Sequence, residues 1–402
     1  MQNSKIFYGL YKKILYTKRN LTYRRFGRKF PLEEKTILFE SFQGRLCACS
    51  PKAMYLEALK DERFKDYKFI WSVRNVKKYA YLKENPNTFL IKYNTKGYLK
   101  VCATAKYWVT NSTMPVYITP KKEQRFIQTW HGTPLKRLGC DIELEDNKAQ
   151  KLSEIHSQYK SQGKKIDVFL SPSKFYTEKI ASSFAQTENL KEKFIECGYP
   201  RNDFLFSHTK EDVERIKREL GIPFDKKVLL YAPTFRDNNF ERGKGFHYDI
   251  GIDFDMLKKS LSDDFVILFR AHYFVIDNFD LSSYEGFIYD VSRHDDINEL
   301  YIISDMLLTD YSSVFFDFAN LKRPIMFFMY DYELYKGQMR DFYLDLNDLP
   351  GPIVFENDDL CKTISELEQK FEYDDKYKAF NDKFNTFNDA FSSKRALGEC
   401  IK

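Results

Sequence analysis

The sequence predicts an α/β protein of two domains, each a mostly parallel sheet covered by helices on both faces, with a cleft between them. Three observations predict it. Short apolar, β-branched and aromatic runs alternate with helical stretches, as they do where crossover helices join parallel strands. The alternation stops near Ser207 to Gly221 and begins again. A chain of 402 residues also exceeds one small core and suits two domains of roughly 150 to 200 residues.

In chain order, Lys35 to Phe42 (K-T-I-L-F-E-S-F) reads as the first buried strand, with Gln43-Gly44-Arg45 as its turn. Ser50-Pro51 then opens a helix to about Lys60, serine capping and proline at the first helical position. Lys68 to Arg74, Thr88 to Tyr93 and Tyr107 to Asn111 are further strands, and Gly97 to Ala105 is helical. The run Arg125 to Leu138 (R-F-I-Q-T-W-H-G-T-P-L-K-R-L) is the centre of the chain. Phe126 to Trp130 reads as a strand that His131-Gly132-Thr133-Pro134 ends abruptly. Gly132 lets backbone approach a ligand, and Pro134 suits the first turn of a following helix. An ordinary turn with a hydrogen-bonded histidine is the competing reading.

Leu144 to Gly163 is charged and partly helical, Asp167 to Ser171 is a strand, and Pro172-Ser173 leads into the helix Lys174 to Phe184. Phe194 to Tyr199 closes the first series. The helix Glu211 to Leu220 stops at Gly221-Ile222-Pro223, and Lys227 to Ala232 begins the second. Phe265 to Phe269, Phe287 to Val291, Met306 to Thr309 and Pro324 to Met329 continue it. A terminal helical region, about Asp375 to Ile401, is placed to cross back onto the first domain.

Composition excludes several classes. With 43% hydrophobic and 30% charged residues the chain folds rather than staying disordered. Seven scattered cysteines give neither metal-ligand spacing nor a disulfide framework, which fits a reducing cytoplasm; Cys47 and Cys49 read as small core residues. No glycine-rich dinucleotide loop or P-loop occurs, which argues against a nicotinamide enzyme or an NTPase.

The formal net charge of +6 is unevenly spread: residues 1–32 hold nine Lys and Arg and no acid. Ile6, Phe7, Leu10, Ile14 and Leu15 recur among them at helical spacing, the pattern of a helix lying against anionic lipid. A helix packed on its own domain is the alternative. No apolar run is long enough to span a bilayer and no signal peptide is present, so peripheral attachment is expected. Nucleic acid is not an expected partner, because the basic residues do not continue along the chain.

Polar groups follow four strand-like or loop segments of the second half, as they follow Trp130. These are Ala232-Pro233-Thr234-Phe235-Arg236, Arg270-Ala271-His272, Thr309-Asp310-Tyr311-Ser312-Ser313 with Asp317 one turn on, and Arg340 with Tyr343 and Asp345. Arginine suits phosphate through its planar donor fork, and a helix start bearing hydroxyls favours an anion. Each has a bland counterpart: Ser312 as a cap, Arg270 in an ion pair, His272 in a core. Their recurrence at strand ends, where open α/β sheets gather ligand groups, favours function. The adjacent pairs Asp263-Asp264 and Asp295-Asp296 need not face one ion, and metal is not expected.

Taken in order, Thr129-Trp130-His131-Gly132-Thr133-Pro134, Cys197-Gly198-Tyr199-Pro200-Arg201, Ala232-Pro233-Thr234, Arg270-Ala271-His272 and Thr309 through Asp317 resemble the CDP-glycerol glycerophosphotransferases of teichoic-acid synthesis. The likeness covers about Lys35 to Phe355. It implies a GT-B-like fold of two Rossmann-like domains and a C-terminal helical region: a leader 1–32, an acceptor-side domain 33–210 holding His131, a CDP-donor domain 211–375, and a helix 376–402 crossing back. It implies transfer of glycerol or ribitol phosphate from CDP-glycerol or CDP-ribitol to a lipid-linked polyol-phosphate or saccharide acceptor. CMP leaves, no cofactor is used, and the work is done peripherally at the cytoplasmic face of the cell membrane, for teichoic acid or capsule. His131 and His272 match the family's essential histidines. Thr129, Trp130, Gly132, Thr133, Arg201, Pro233, Thr234, Arg270, Ser312, Ser313 and Asp317 fall where the family binds donor. The chemistry is compatible: an acceptor hydroxyl attacks the β-phosphorus, His131 takes its proton, and Arg270, His272 and the N–H groups near Ser312 stabilise the departing CMP. A nucleotide-sugar glycosyltransferase, or a non-catalytic polymer-binding module at the membrane surface, are the alternatives.

Overall fold

The computed structural model describes residues 2–143, 151–234, 240–241, 245–246, 251–271, 280–333 and 342–402, without the side chains of 2–10, 12, 240–241 and 245–246. Two parallel sheets organise them. The first contains β1 (Glu33–Glu40), β2 (Lys68–Val73), β3 (Thr88–Lys92), β4 (Ala105–Thr110), β5 (Arg125–Gln128), β6 (Val168–Ser171) and β7 (Phe194–Glu196), in the order β3-β2-β1-β4-β5-β6-β7. The second contains β8 (Lys227–Ala232), β11 (Phe265–Phe269), β12 (Ile288–Asp290), β13 (Met306–Thr309), β14 (Ile325–Phe328) and β15 (Ile353–Val354), ordered β12-β11-β8-β13-β14-β15. A small antiparallel ribbon of β9 (Phe240–Glu241) and β10 (Gly245–Phe246) lies between β8 and β11 in the chain.

Strand alternation fills a core on each face. In β1, Ile37 and Phe39 join one apolar cluster and Leu38 the other; in β8, Val228, Leu230 and Ala232 oppose Leu229 and Tyr231. Both faces are therefore apolar, as parallel strands covered by helices require. The charged exception on β1 is Glu40, on the same face as Leu38 and fully buried.

The helix Gln2–Lys29 packs its later turns on the first sheet's flank. Tyr23 is buried there, its hydroxyl donates to the Thr119 carbonyl at 2.5 Å, and Asn20 donates to the Tyr117 carbonyl at 2.8 Å. Farther along the chain the helix Asp375–Phe384 covers the second sheet through Tyr377, Phe380 and Phe384. The helix Ser392–Cys400 returns to the first, contributing Ala396, Leu397 and Cys400 to its core. Asp203 anchors its start by accepting from the N–H groups of Ser392 and Ser393 at 2.9 and 2.8 Å.

Local expectations need three corrections. The helix near Ser50 begins at Cys49, so Ser50 and Pro51 lie inside it; the Ser50 hydroxyl makes no cap and instead accepts from the Arg201 N–H at 3.4 Å. No helix follows Pro134. The chain stays irregular because Lys136 bridges Phe342 and the Leu135 carbonyl accepts from the Tyr343 N–H at 2.8 Å, a partner supplied from far along the chain. The helix start expected after Ser313 opens only a short element, α-helical over Val314–Phe318 and tightening to a 3-10 turn at Ala319–Leu321.

Candidate active site

The exit of β5 turns through one strained residue, and the exit of β1 beside it is strained too. Thr129 still donates to the Thr110 carbonyl of β4 at 2.8 Å, and the Gln128 side chain then accepts from the Trp130 N–H at 2.9 Å. This bends the backbone so that Trp130 takes φ of 50°, a left-handed conformation that costs a bulky residue about 1 to 3 kcal/mol. The strain delivers His131 into the cleft. The Trp130 ring stacks on the imidazole with centroids 4.5 Å apart, and Phe42 stands 5.7 Å from it at 58°. Phe42, Gln43 and Cys49 are left-handed too, at φ of 49°, 55° and 64°.

The tautomer of His131 follows from one contact. Its Nδ1 lies 2.6 Å from the Asn111 carbonyl oxygen, which can only accept, so Nδ1 carries the hydrogen and Nε2 keeps a lone pair. Asn111 is itself fixed at the exit of β4, where its side-chain oxygen accepts from the Phe42 N–H at 2.7 Å. Although the histidine is open to the cleft, surrounding protein pushes its pKa down to about 4, the Asn111 bond opposing and the Arg201 charge reinforcing the shift. The ring is neutral at pH 7.

The facing wall comes from the second sheet. At the exit of β11, Arg270 donates from Nη1 to the carbonyls of Val291 and His294 at 3.1 and 3.0 Å, and makes no ion pair with a described residue. Burial lowers its pKa. Beyond β13, Ser313 precedes the helix Val314–Phe318 without its hydroxyl capping that helix. A Cβ on Gly132 would stand 2.8 Å from the Ser313 Oγ, so the absent side chain is what lets the two walls meet. Behind them, Arg201 donates to both oxygens of Asp317 at 3.0 and 2.7 Å, with both side chains buried, and Asn202 donates to the same carboxylate at 2.9 Å. Burial disfavours the Arg201 charge, yet Asp317 outweighs it and the guanidinium is held above its ordinary pKa.

A cavity of about 170 Å³ collects His131, Arg201, Arg270, Ser313 and Asp317 from both halves. Gly132 borders it through Ser313. Thr129, Trp130 and Thr133 are buried behind the imidazole; Pro233, Thr234 and Ser312 do not line this cavity. Thr234 donates its N–H to both oxygens of Asp310 at 2.8 and 3.0 Å, tying the β8 exit to the β13 exit. His272, like Arg236 and Arg340, lies outside the described residues.

Sequence reasoning missed several groups that hold or line the site. Asn111 closes a strand in the same way as His131 follows one, and its polar side chain at a strand exit was the available signal. Cys49, expected in the core, instead lines the cavity and accepts from Arg201 Nη1 at 3.4 Å, its backbone left-handed. Asp295, Asp296, Asn298 and Tyr301 complete the wall. Among the described residues no group of three or more His, Cys, Asp or Glu is arranged to hold a metal ion.

Comparison with known proteins agrees with this geometry. The family model for CDP-Glycerol:Poly(glycerophosphate) glycerophosphotransferase matches residues 21–401. A teichoic acid poly(glycerol phosphate) polymerase of Bacillus spizizenii is 38% identical over 395 residues, 97% of this chain and 98% of that one. The Bacillus subtilis polymerase of the same description is 40% identical over 341 residues, which are 84% of this chain and 45% of that longer protein. The structure of the wall teichoic acid polymerase TagF soaked with CDPG superposes with a TM-score of 0.87 at 36% identity, over 100% of this chain and 97% of that one. The two parallel sheets facing a cleft are thus the GT-B-like arrangement expected from the sequence.

Proposed function

The chain belongs to the CDP-glycerol:poly(glycerophosphate) glycerophosphotransferase family, and we propose that its cleft moves a polyol phosphate from the CDP donor to a lipid-linked acceptor through His131. It is a transferase of teichoic-acid synthesis, and CDP-glycerol is its donor class. The acceptor hydroxyl attacks the β-phosphorus of the donor while the bond from that phosphorus to the bridging oxygen breaks. The proton passes to Nε2 of His131, and CMP departs.

One observation carries the assignment of the base: the 2.6 Å bond from His131 Nδ1 to the Asn111 carbonyl, which leaves Nε2 unprotonated toward a cavity shared with Arg270 and Ser313. An imidazole of low pKa is a weak base in the free protein. The negative charge of a bound diphosphate raises it toward neutrality, so basicity appears when the donor is in place. Arg270, without a carboxylate partner among the described residues, offers its charge to the diphosphate, and the Ser313 hydroxyl adds a donor. His272 is assigned the same anion-stabilising role from its sequence position alone. Asp317 is occupied by Arg201 and Asn202, so its part is to hold the Arg201 side of the wall.

The test is purified enzyme with a lipid-linked acceptor, offered CDP-glycerol and CDP-ribitol in turn, with release of CMP followed. Loss of CMP release in His131→Ala with CDP-glycerol binding retained supports the base; undiminished turnover removes it. Liberation of a nucleoside diphosphate from a nucleotide sugar instead would favour the glycosyltransferase reading.

The helix Gln2–Lys29 supplies the membrane contact in this reading. Tyr11, Ile14 and Leu21 are exposed, and Ile14 and Leu21 share an open groove with Lys13, Lys18 and Arg25. No helix among the described residues is long and apolar enough to cross a membrane. Ile14→Glu with Leu21→Glu abolishes sedimentation with vesicles containing anionic lipid if this face binds them; unchanged recovery sinks the idea.

A further inference from the structure

Two adjacent carboxylates on the second half of the molecule grip the first. In the loop before the helix Ile297–Ile303, Asp296 Oδ2 accepts from Lys52 Nζ at 2.9 Å, and Lys52 belongs to the helix Cys49–Lys60. Asp295 accepts from Lys78 Nζ at 2.6 Å and from the Tyr79 hydroxyl at 3.0 Å, and Tyr79 is itself part of the first sheet's core. The same loop reaches the opposite way, since the carbonyls holding Arg270 are those of Val291 and His294. Asp295 and Asp296 line the cavity that contains His131 and Arg270.

The Lys52 and Asp296 side chains are 28% and 19% exposed, so salt screens this pair less than a surface one. Burial works against both charges, and each partner outweighs it for the other: the Lys52 pKa is raised and the Asp296 pKa lowered. Asp296 also caps its helix, accepting from the Asn298 N–H at 3.2 Å. Its orientation is therefore fixed from the second half before the first half engages it.

We propose that Lys52 and Asp296, backed by Lys78, Tyr79 and Asp295, are positioning residues that set the width of the cleft. They fix how far the imidazole on the first sheet stands from the guanidinium on the second. The proposal rests on the transfer reading above. That chemistry divides its groups between the two sheets, and a misplacement of about 1 Å costs a transfer reaction about 100-fold. The two groups assigned to the diphosphate, the Arg270 guanidinium and the Ser313 hydroxyl, both lie on the second half, so donor affinity depends little on the latch while turnover depends on it.

The experiment measures CDP-glycerol affinity and kcat for the wild type, Lys52→Met, Lys52→Arg, Asp296→Asn and the Lys52→Met/Asp296→Asn double variant. Asparagine keeps the helix cap, so Asp296→Asn removes charge without unravelling the helix start. The expected result is donor affinity within about twofold, kcat down about tenfold or more in each single variant, and a double variant no worse than either single. Lys52→Arg retains most of the turnover. Should Lys52→Met fail to fold, Lys78→Met and Asp295→Asn, at a more exposed pair, are read in the same way. Wild-type kcat in the single variants, an equal loss of donor affinity, or additive losses in the double variant each overturn the latch. A wild type that releases no CMP from CDP-glycerol overturns the transfer reading first, and the latch with it.

Discussion

The Nδ1 of His131 lies 2.6 Å from the carbonyl oxygen of Asn111, so the exits of two neighbouring strands together decide which nitrogen of the imidazole faces the cleft. Replacing His131 by Gln keeps a donor for that carbonyl and removes the base. Turnover is expected to fall by at least about 100-fold with donor affinity retained, measured by CMP release and by calorimetric titration.

The depressed pKa of His131 fixes a pH dependence. Its value of about 4 lies below the ordinary 6.5, so the free enzyme keeps its base unprotonated through the mildly acidic range. The acid limb of kcat/KM is expected near pH 4, and that of kcat, which reports the donor complex, at higher pH. For stability the sign is the same: the contribution is present above pH 6.5 and is lost as pH falls toward 4. A kcat/KM limb at 6.5 would mean that the protein around this ring does not disfavour its charge.

Glu40 gives the opposite sign. It is fully buried, neither oxygen makes a well-formed hydrogen bond among the described residues, and burial pushes its pKa up to about 7 against the pull of Ser72, Tyr98 and Arg74. The carboxyl costs nothing below its unfolded pKa of 4.5, and stability is lost as pH rises through 7. Glu40→Gln is expected to stabilise the protein at pH 8 by roughly 3 kcal/mol and to change little at pH 4, read from thermal melts at the two pH values.

Gly132 and Ser313 make a paired prediction. A methyl at residue 132 meets the Ser313 Oγ at 2.8 Å, and rotation of that hydroxyl relieves it at small cost. Gly132→Ala and Ser313→Ala should each weaken CDP-glycerol binding about tenfold, the worth of one hydrogen bond to a charged group. The double variant should weaken it no further, and additive losses would separate the two residues.

The buried pair of Arg201 and Asp317 tests the wall itself. Arg201→Met leaves a carboxylate in the interior with Asn202 as its one side-chain partner among the described residues, and the expected destabilisation is about 3 to 5 kcal/mol, read from denaturant unfolding.

Much of this was legible because strands buried on both faces are written as contiguous apolar runs. Phe265 to Phe269 was read with its ends intact, and His131 stood out as a polar group directly after such a run. What stayed hidden depends on partners distant in the chain. The segment after Pro134 is irregular because Phe342 and Tyr343 bind it, and the Ser50 hydroxyl turns from capping to Arg201. Asp295 and Asp296 read as an adjacent acidic pair without a partner, since their cations, Lys52 and Lys78, lie in the first half of the chain. β15, only two residues long, carries too few side chains to show a period.

The helix Ser392–Cys400 gives the molecule a particular order of assembly. Its apolar residues finish a core whose first strand is synthesised near the other end of the chain, after every strand of the second sheet has been made. During translation the first sheet therefore waits with one flank uncovered, exposing Tyr55, Ala58 and their neighbours until that helix arrives. Such a chain folds its two halves as a linked pair rather than in succession, and the interval before docking is when a holding chaperone matters most.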